Sequence, residues 1–179
     1  MAVDATYLYF TDGATISRAP IAGGSATSLV TGLNAPFGLA VDATFLYWTD
    51  NTDGTVSRAP IAGGSATSLV TGLTTPNTMA VDATYIYFAT DSITTIRRAP
   101  IAGGSATSLV TGLTSVDGIA VDATYIYFTD GSSSISRSSL NGTSSYRLSK
   151  SDTVTIDIDA VDSGATDAGA KCFITGYRI

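Results

Sequence analysis

The segment Ala19-Pro20-Ile21-Ala22-Gly23-Gly24-Ser25-Ala26-Thr27-Ser28-Leu29-Val30-Thr31-Gly32-Leu33 recurs letter for letter at 59–73 and at 99–113, a spacing of 40 residues. A shorter block, Ala-Val-Asp-Ala-Thr, begins at Ala2, Ala40, Ala80 and Ala120. The 179-residue chain therefore holds four copies of one unit, the last diverging after Arg137. Self-similarity at a fixed period marks a repeat architecture and outranks any local propensity.

Within one unit the pattern resolves into four short strands. Phe37–Val41 is apolar and is followed by an Asp42-Ala43-Thr44 turn; Phe45–Thr49 is aromatic-rich and gives way to a turn at Asp50–Gly54. Thr55–Ile61 alternates, Gly63-Gly64 turns, and Thr67–Leu73 carries the chain to the next unit. Strands this close leave no room for a crossover helix, so each unit predicts an antiparallel four-stranded meander, the size of one propeller blade. The expected fold is all-β: four blades over 1–150 (about 1–36, 37–76, 77–116 and 117–150), followed by a C-terminal β-hairpin over 151–179.

Composition agrees. All fifteen acidic residues are Asp, Glu and Gln are absent, and Ser plus Thr occupy 49 positions. The straight-chain residues that favour helices are thus scarce, whereas Thr, Val, Ile and Tyr suit pleated strands. The absence of His removes Ser–His and Cys–His nucleophile pairs and His-containing zinc or haem sites. Cys172, the single cysteine, has no internal disulfide partner. A net charge of −6 with seven scattered Arg gives no basic patch, so no nucleic-acid partner is expected. No apolar run approaches the roughly 20 residues that span a bilayer, and Met1-Ala2-Val3-Asp4 shows no signal peptide, so no membrane insertion is expected. No cofactor or metal is expected either. The sole approach to a calcium loop, Asp50-Asn51-Thr52-Asp53-Gly54, also makes a good hairpin turn.

The run Pro36-Phe37-Gly38-Leu39-Ala40-Val41-Asp42, then Leu46-Tyr47-Trp48-Thr49-Asp50, Val56-Ser57-Arg58-Ala59-Pro60-Ile61-Ala62-Gly63-Gly64 and Leu69-Val70, resembles the YWTD blade of the low-density lipoprotein receptor class B repeat and related bacterial propellers. Tyr9-Phe10-Thr11-Asp12 and Tyr127-Phe128-Thr129-Asp130 keep the motif with Phe for Trp, while Phe88-Ala89-Thr90-Asp91 reads as carrying one extra residue. The resemblance implies architecture and no catalytic site, because in that family these residues pack and brace the blades. The family closes its ring with six blades, whereas four are encoded here. Completion by self-association, two copies giving eight blades, is therefore expected, the alternative being a strongly curved closed ring of four.

The copies differ unevenly. The Asp-Ala-Thr turn is constant in all four, and Ala-Gly-Gly-Ser-Ala-Thr in three. The connection between second and third strands varies, as does the entry into the next blade. Alternate turns of a meander lie at opposite strand ends, so one side of the disc is constant and the other diversified. Phe37, Asn51, Asp53, Asn77, Asp91, Asp117 and Asp130 are accordingly expected on a ligand-facing surface, the ligand being a glycan or a protein. Arg18, Arg58, Arg98 and Arg137 recur at one place on the third strand and read as braces onto an Asp or a loop carbonyl of a neighbouring strand or blade. Arg97 breaks that pattern and is expected in solvent. The tyrosines at 7, 9, 47, 85, 87, 125 and 127 read as packing between blades, with Phe10, Trp48, Phe88 and Phe128 alternating to the other face.

The tail alternates over Thr153–Asp159 and ends in a second β run from Lys171 to Ile179, a form that resembles the last strands of small β-proteins from phage particles. The expected function is a non-enzymatic binding or structural module, extracellular or on a particle surface, that uses near-identical blades for multivalent contact. The alternative is a virion or filament component whose blades and terminal hairpin mediate assembly. An Asp-pair glycan hydrolase is the enzymatic rival, weakened by the absence of Glu and His.

Overall fold

The computed structural model describes residues 1–90, 92–131, 134–143, 145–147, 156–157 and 171–172. Four sheets follow one another along the chain, each a meander whose strands pair in sequence order. Blade 1 comprises β1 (Ala2–Val3), β2 (Tyr7–Asp12), β3 (Thr15–Pro20) and β4 (Thr27–Thr31). Blade 2 comprises β5 (Pro36–Val41), β6 (Phe45–Asp50), β7 (Thr55–Pro60) and β8 (Thr67–Val70). Blade 3 has β9 (Met79–Val81), β10 (Tyr85–Thr90), β11 (Thr95–Pro100) and β12 (Thr107–Val110). Blade 4 has β13 (Ile119–Val121), β14 (Tyr125–Thr129), β15 (Ile135–Ser139) and β16 (Ser145–Arg147). The first strand of each sheet packs on the first strand of the next, β1 on β5, β5 on β9 and β9 on β13, so these strands are innermost and the fourth strands outermost. The molecule is an all-β propeller of four blades.

Period-two alternation gives every blade two apolar faces. The forward face of blade 1 (Tyr9, Ile16, Val30) packs on the backward face of blade 2 (Leu39, Leu46, Trp48, Ala59). The forward face of blade 2 (Tyr47, Val56, Val70) meets Met79, Ile86, Phe88 and Ala99 of blade 3. Tyr87 and Ile96 of blade 3 meet Ile126 and Phe128 of blade 4 in the same way. Each fully buried Leu, Ile or Phe contributes about 1.5–3 kcal/mol, which makes these three seams the core of the molecule.

A bulge repeats in the first three blades. The ladder skips one residue between Ile16 and Ser17, Val56 and Ser57, and Ile96 and Arg97, leaving Leu29, Leu69 and Leu109 as the extra residues of the outer strands. The bulge aims each leucine at the following blade, where its backbone lies against Gly63, Gly103 or Gly142.

β5 starts at Pro36, which pairs with Asp50 across a bulge. Two sequence expectations need correction. Blade 3 carries no extra residue in its motif: Thr90 pairs with Thr95 as Asp50 pairs with Thr55, so Ala89-Thr90 stands where Thr-Asp stands in blade 2. Arg97 pairs across from Phe88 and is half-buried, lining a cleft of about 480 Å³ with Leu69–Leu73 of blade 2 and Gly104–Ala106. The expected terminal hairpin lies mostly outside the described residues; a short ladder, Ile156 with Cys172 and Asp157 with Lys171, joins β17 (Ile156–Asp157) to β18 (Lys171–Cys172).

Candidate functional site

The constant side of the disc is built from one polar unit used four times. Asp4 Oδ1 accepts the backbone N–H groups of Thr6 and Tyr7 at 2.7 Å, and its Oδ2 accepts the Tyr9 hydroxyl at 2.8 Å. Asp42, Asp82 and Asp122 repeat this with Tyr47, Tyr87 and Tyr127 at 2.7 to 2.9 Å. Above each unit a guanidinium stacks on the flanking ring: Arg18 on Tyr7, Arg58 on Phe45, Arg98 on Tyr85 and Arg137 on Tyr125, with 4.2 to 4.6 Å between the guanidinium carbon and the ring centroid. Arg18 Nη1 then donates to the Ile61 carbonyl of blade 2 at 3.0 Å and Arg58 Nη1 to Ile101 of blade 3 at 3.2 Å. Arg98 Nη1 donates to Leu140 of blade 4. Arg18, Arg58 and Arg98 thus each tie their own blade to the next through a loop carbonyl.

Burial and the neighbouring carboxylate push the Tyr9 hydroxyl up to about 12. The hydroxyls of Tyr47, Tyr87 and Tyr127 are raised for the same reasons. For Asp4, burial pushes the carboxyl up, but its two backbone N–H partners, the Tyr9 hydroxyl and Arg18 together outweigh it and the pKa is lowered. A phenol held protonated in this way does not act as a base near neutral pH, and the carboxylate that holds it is already spoken for.

A pH dependence follows. The folded pKa of these phenols lies above the ordinary value near 10, so their stabilising contribution is complete below about pH 10 and is lost as pH rises through the folded values. A near-ultraviolet tyrosinate titration should show Tyr9, Tyr47, Tyr87 and Tyr127 ionising late, together with a stability that falls steeply above about pH 10. Replacing Tyr9 by Phe should remove one late step. Asp4 acts in the opposite window, its contribution being lost as acid protonates it.

The diversified side is organised differently. Asn34, Asp50, Asn51, Asp53, Pro76 and Asn77 interlock around blades 2 and 3. The buried Asp50 carboxylate accepts N–H groups of Asn34, Ala35 and Asp53, each at 3.1 Å. Asn34 Nδ2 donates to Asp53 Oδ1, and Asn51 Nδ2 reaches the Pro76 carbonyl at 3.3 Å. Thr49 Oγ1 accepts the Gly38 N–H at 2.9 Å and donates to the Asn77 carbonyl at 2.6 Å, stitching blade 2 to blade 3. The bulge at Phe37-Gly38 leaves the Phe37 ring 56 % exposed at the rim of this network.

Of the residues expected on this face, Phe37, Asn51, Asp53 and Asn77 therefore lie in one connected patch. Asp117 and Asp130 belong to the corresponding patch of blade 4, where Asp130 Oδ1 accepts the Thr114 N–H at 2.7 Å and the Asp117 N–H donates to Thr129 Oγ1 at 2.9 Å. Asp91 lies outside the described residues. Sequence reasoning missed Asn34 and Thr49, which hold the patch together, and the pairing of each turn aspartate with a tyrosine. The second had a signal: Asp and Tyr stand five residues apart in all four copies. Asn141-Gly142-Thr143, an acceptor-like triplet, is a turn whose Asn141 Oδ1 accepts the Thr143 N–H and hydroxyl. Among the described residues no three carboxylates or thiols converge on a metal-sized site.

No family model and no curated protein sequence matches the chain. Solved structures do. A chain of the nidogen/laminin complex superimposes with a TM-score of 0.73 at 26% identity, over 81% of this chain and 62% of that one. A TolB-type protein from Agrobacterium tumefaciens gives 0.67 at 20% identity, over 84% of this chain and 60% of that one. The computationally designed Ika4 protein gives 0.62 at 15% identity, over 77% and 88%. The chain spans about three fifths of the first two, and the likeness to the last two is one of fold.

Proposed function

We propose that the protein is a non-enzymatic module of YWTD type that contacts a glycan or protein ligand through its diversified face, at several blades at once, outside the cell or on a particle surface. One observation carries the reading. The turn aspartates, tyrosines and arginines of the constant side are engaged in bracing the blades, whereas the other side of blade 2 offers an exposed aromatic ring, Phe37, and an exposed carboxylate, Asp53. An aromatic ring rimmed by carboxylate and amide groups suits stacking on a sugar face or anchoring a protein partner. The likeness to a chain of the nidogen/laminin complex supports a binding role and an extracellular setting.

Screening the chain against a glycan array and candidate protein ligands tests this. Phe37→Ser should weaken any binding found by about tenfold or more while leaving the fold unchanged. Undiminished binding by that variant would remove the diversified face from the reading, and release of a cleaved product would remove the non-enzymatic part. The second reading, a virion or filament component built by blade-to-blade assembly, is favoured by exposed apolar side chains on the two end blades, Val3 at 59 % and Ile135 at 49 %.

A further inference from the structure

Blades 1 and 4 each expose a face that the inner blades bury. On the forward side, Ile16, Val56 and Ile96 are fully buried, yet their counterpart in blade 4, Ile135, is 49 % exposed. On the backward side, Leu46, Ile86 and Ile126 are fully buried and Trp48, Phe88 and Phe128 nearly so, while their counterparts in blade 1, Leu8 and Phe10, are only half-buried. Val3 and Ile21 of the same face are 59 % and 56 % exposed. Glycines report the same vacancy. A Cβ added at Gly63, Gly103 or Gly142 would lie 3.5, 3.2 or 2.7 Å from Leu29, Leu69 or Leu109 of the preceding blade, whereas one added at Gly23 meets nothing within 4 Å. Among the described residues, the three buried clusters join blades 1 and 2, 2 and 3, and 3 and 4, and none joins 4 to 1.

We infer that a second copy of this chain covers these faces, the forward face of blade 4 in one copy seating on the backward face of blade 1 in the other. The occupant is identified by repetition. What covers the backward face of blades 2, 3 and 4 is a forward face of the Tyr-and-Ile/Val type, and blade 4 repeats that pair in Tyr127, itself buried, and the exposed Ile135. The contact is head-to-tail, and two such contacts about a two-fold axis close eight blades, within the range of known propellers. The inference is independent of the ligand proposed above.

Mass in solution tests it on the full chain. The wild type should run near twice 18.3 kDa. Val3→Asp and Ile135→Asp alter exposed side chains, so both should keep the wild-type circular dichroism and each alone should run at half the wild-type mass. Mixed in equal amounts they should recover a two-chain species, because each retains the face that the other has lost. A wild-type monomer would overturn the inference, as would either variant remaining dimeric alone, since that would mean like faces pair with like. A mass that grows without limit with concentration would overturn closure at two copies.

Discussion

Trp48→Ala should lower the free energy of unfolding by about 3–5 kcal/mol, a large share of the total for a domain of this size. Trp48 is 1 % exposed in the seam between blades 1 and 2, with Tyr9, Ile16, Leu39 and Leu46 in the same cluster. Removing the indole leaves a cavity whose walls belong to two stiff sheets, so little collapse can offset it. Trp48→Phe should cost far less, under about 1.5 kcal/mol, because Phe88 and Phe128 already fill the equivalent place in blades 3 and 4. Denaturant midpoints of the two variants decide the matter: similar losses would mean that the seam is not packed as described.

Gly54→Ala is the second large effect, at about 3–4 kcal/mol. Gly54 ends the turn between β6 and β7 with φ of 64°, and an added Cβ would fall 2.4 Å from the Leu73 carbonyl oxygen. Retreat is blocked, because the Gly54 carbonyl accepts the Leu73 N–H at 2.9 Å. Gly32→Ala separates the two contributions. Gly32 has φ of 76° but open space around its Cα, so only the conformational penalty of about 1–2 kcal/mol should be seen. Equal thermal shifts for the two variants would show that the close approach of Leu73 carries no weight.

Much of this fold could be read before any coordinates because the chain states it four times. Turn signals at Asp42-Ala43-Thr44 and Gly63-Gly64 punctuate alternating strands, and local hydrogen bonding alone decides a meander. The failures share a cause, which is that they depend on what faces a residue across a seam. Arg97 takes a position held by Ser in the other blades, and its register with Phe88 directs it between blades where sequence alone suggested solvent. Ile135 is chemically the same as Ile16 and Ile96, and only the neighbour differs. On the diversified face, Phe37 and Asn77 were legible as variable positions. Their link was not, because Thr49, which accepts the Gly38 N–H, reaches the Asn77 carbonyl 28 residues further along the sequence.

Three identical fifteen-residue stretches ought to invite mistaken identity while the chain folds, since β3 would pair as well with β8 as with β4. Six residues separate Pro20 from Thr27, but forty-six separate it from Thr67. Closing the longer loop costs about 1.8 kcal/mol more, a bias of some twentyfold toward the right sibling from chain entropy alone. Proximity along the polypeptide therefore does the proofreading that side-chain identity cannot, and errors of pairing should surface only where molecules are crowded enough for a neighbour's strand to compete.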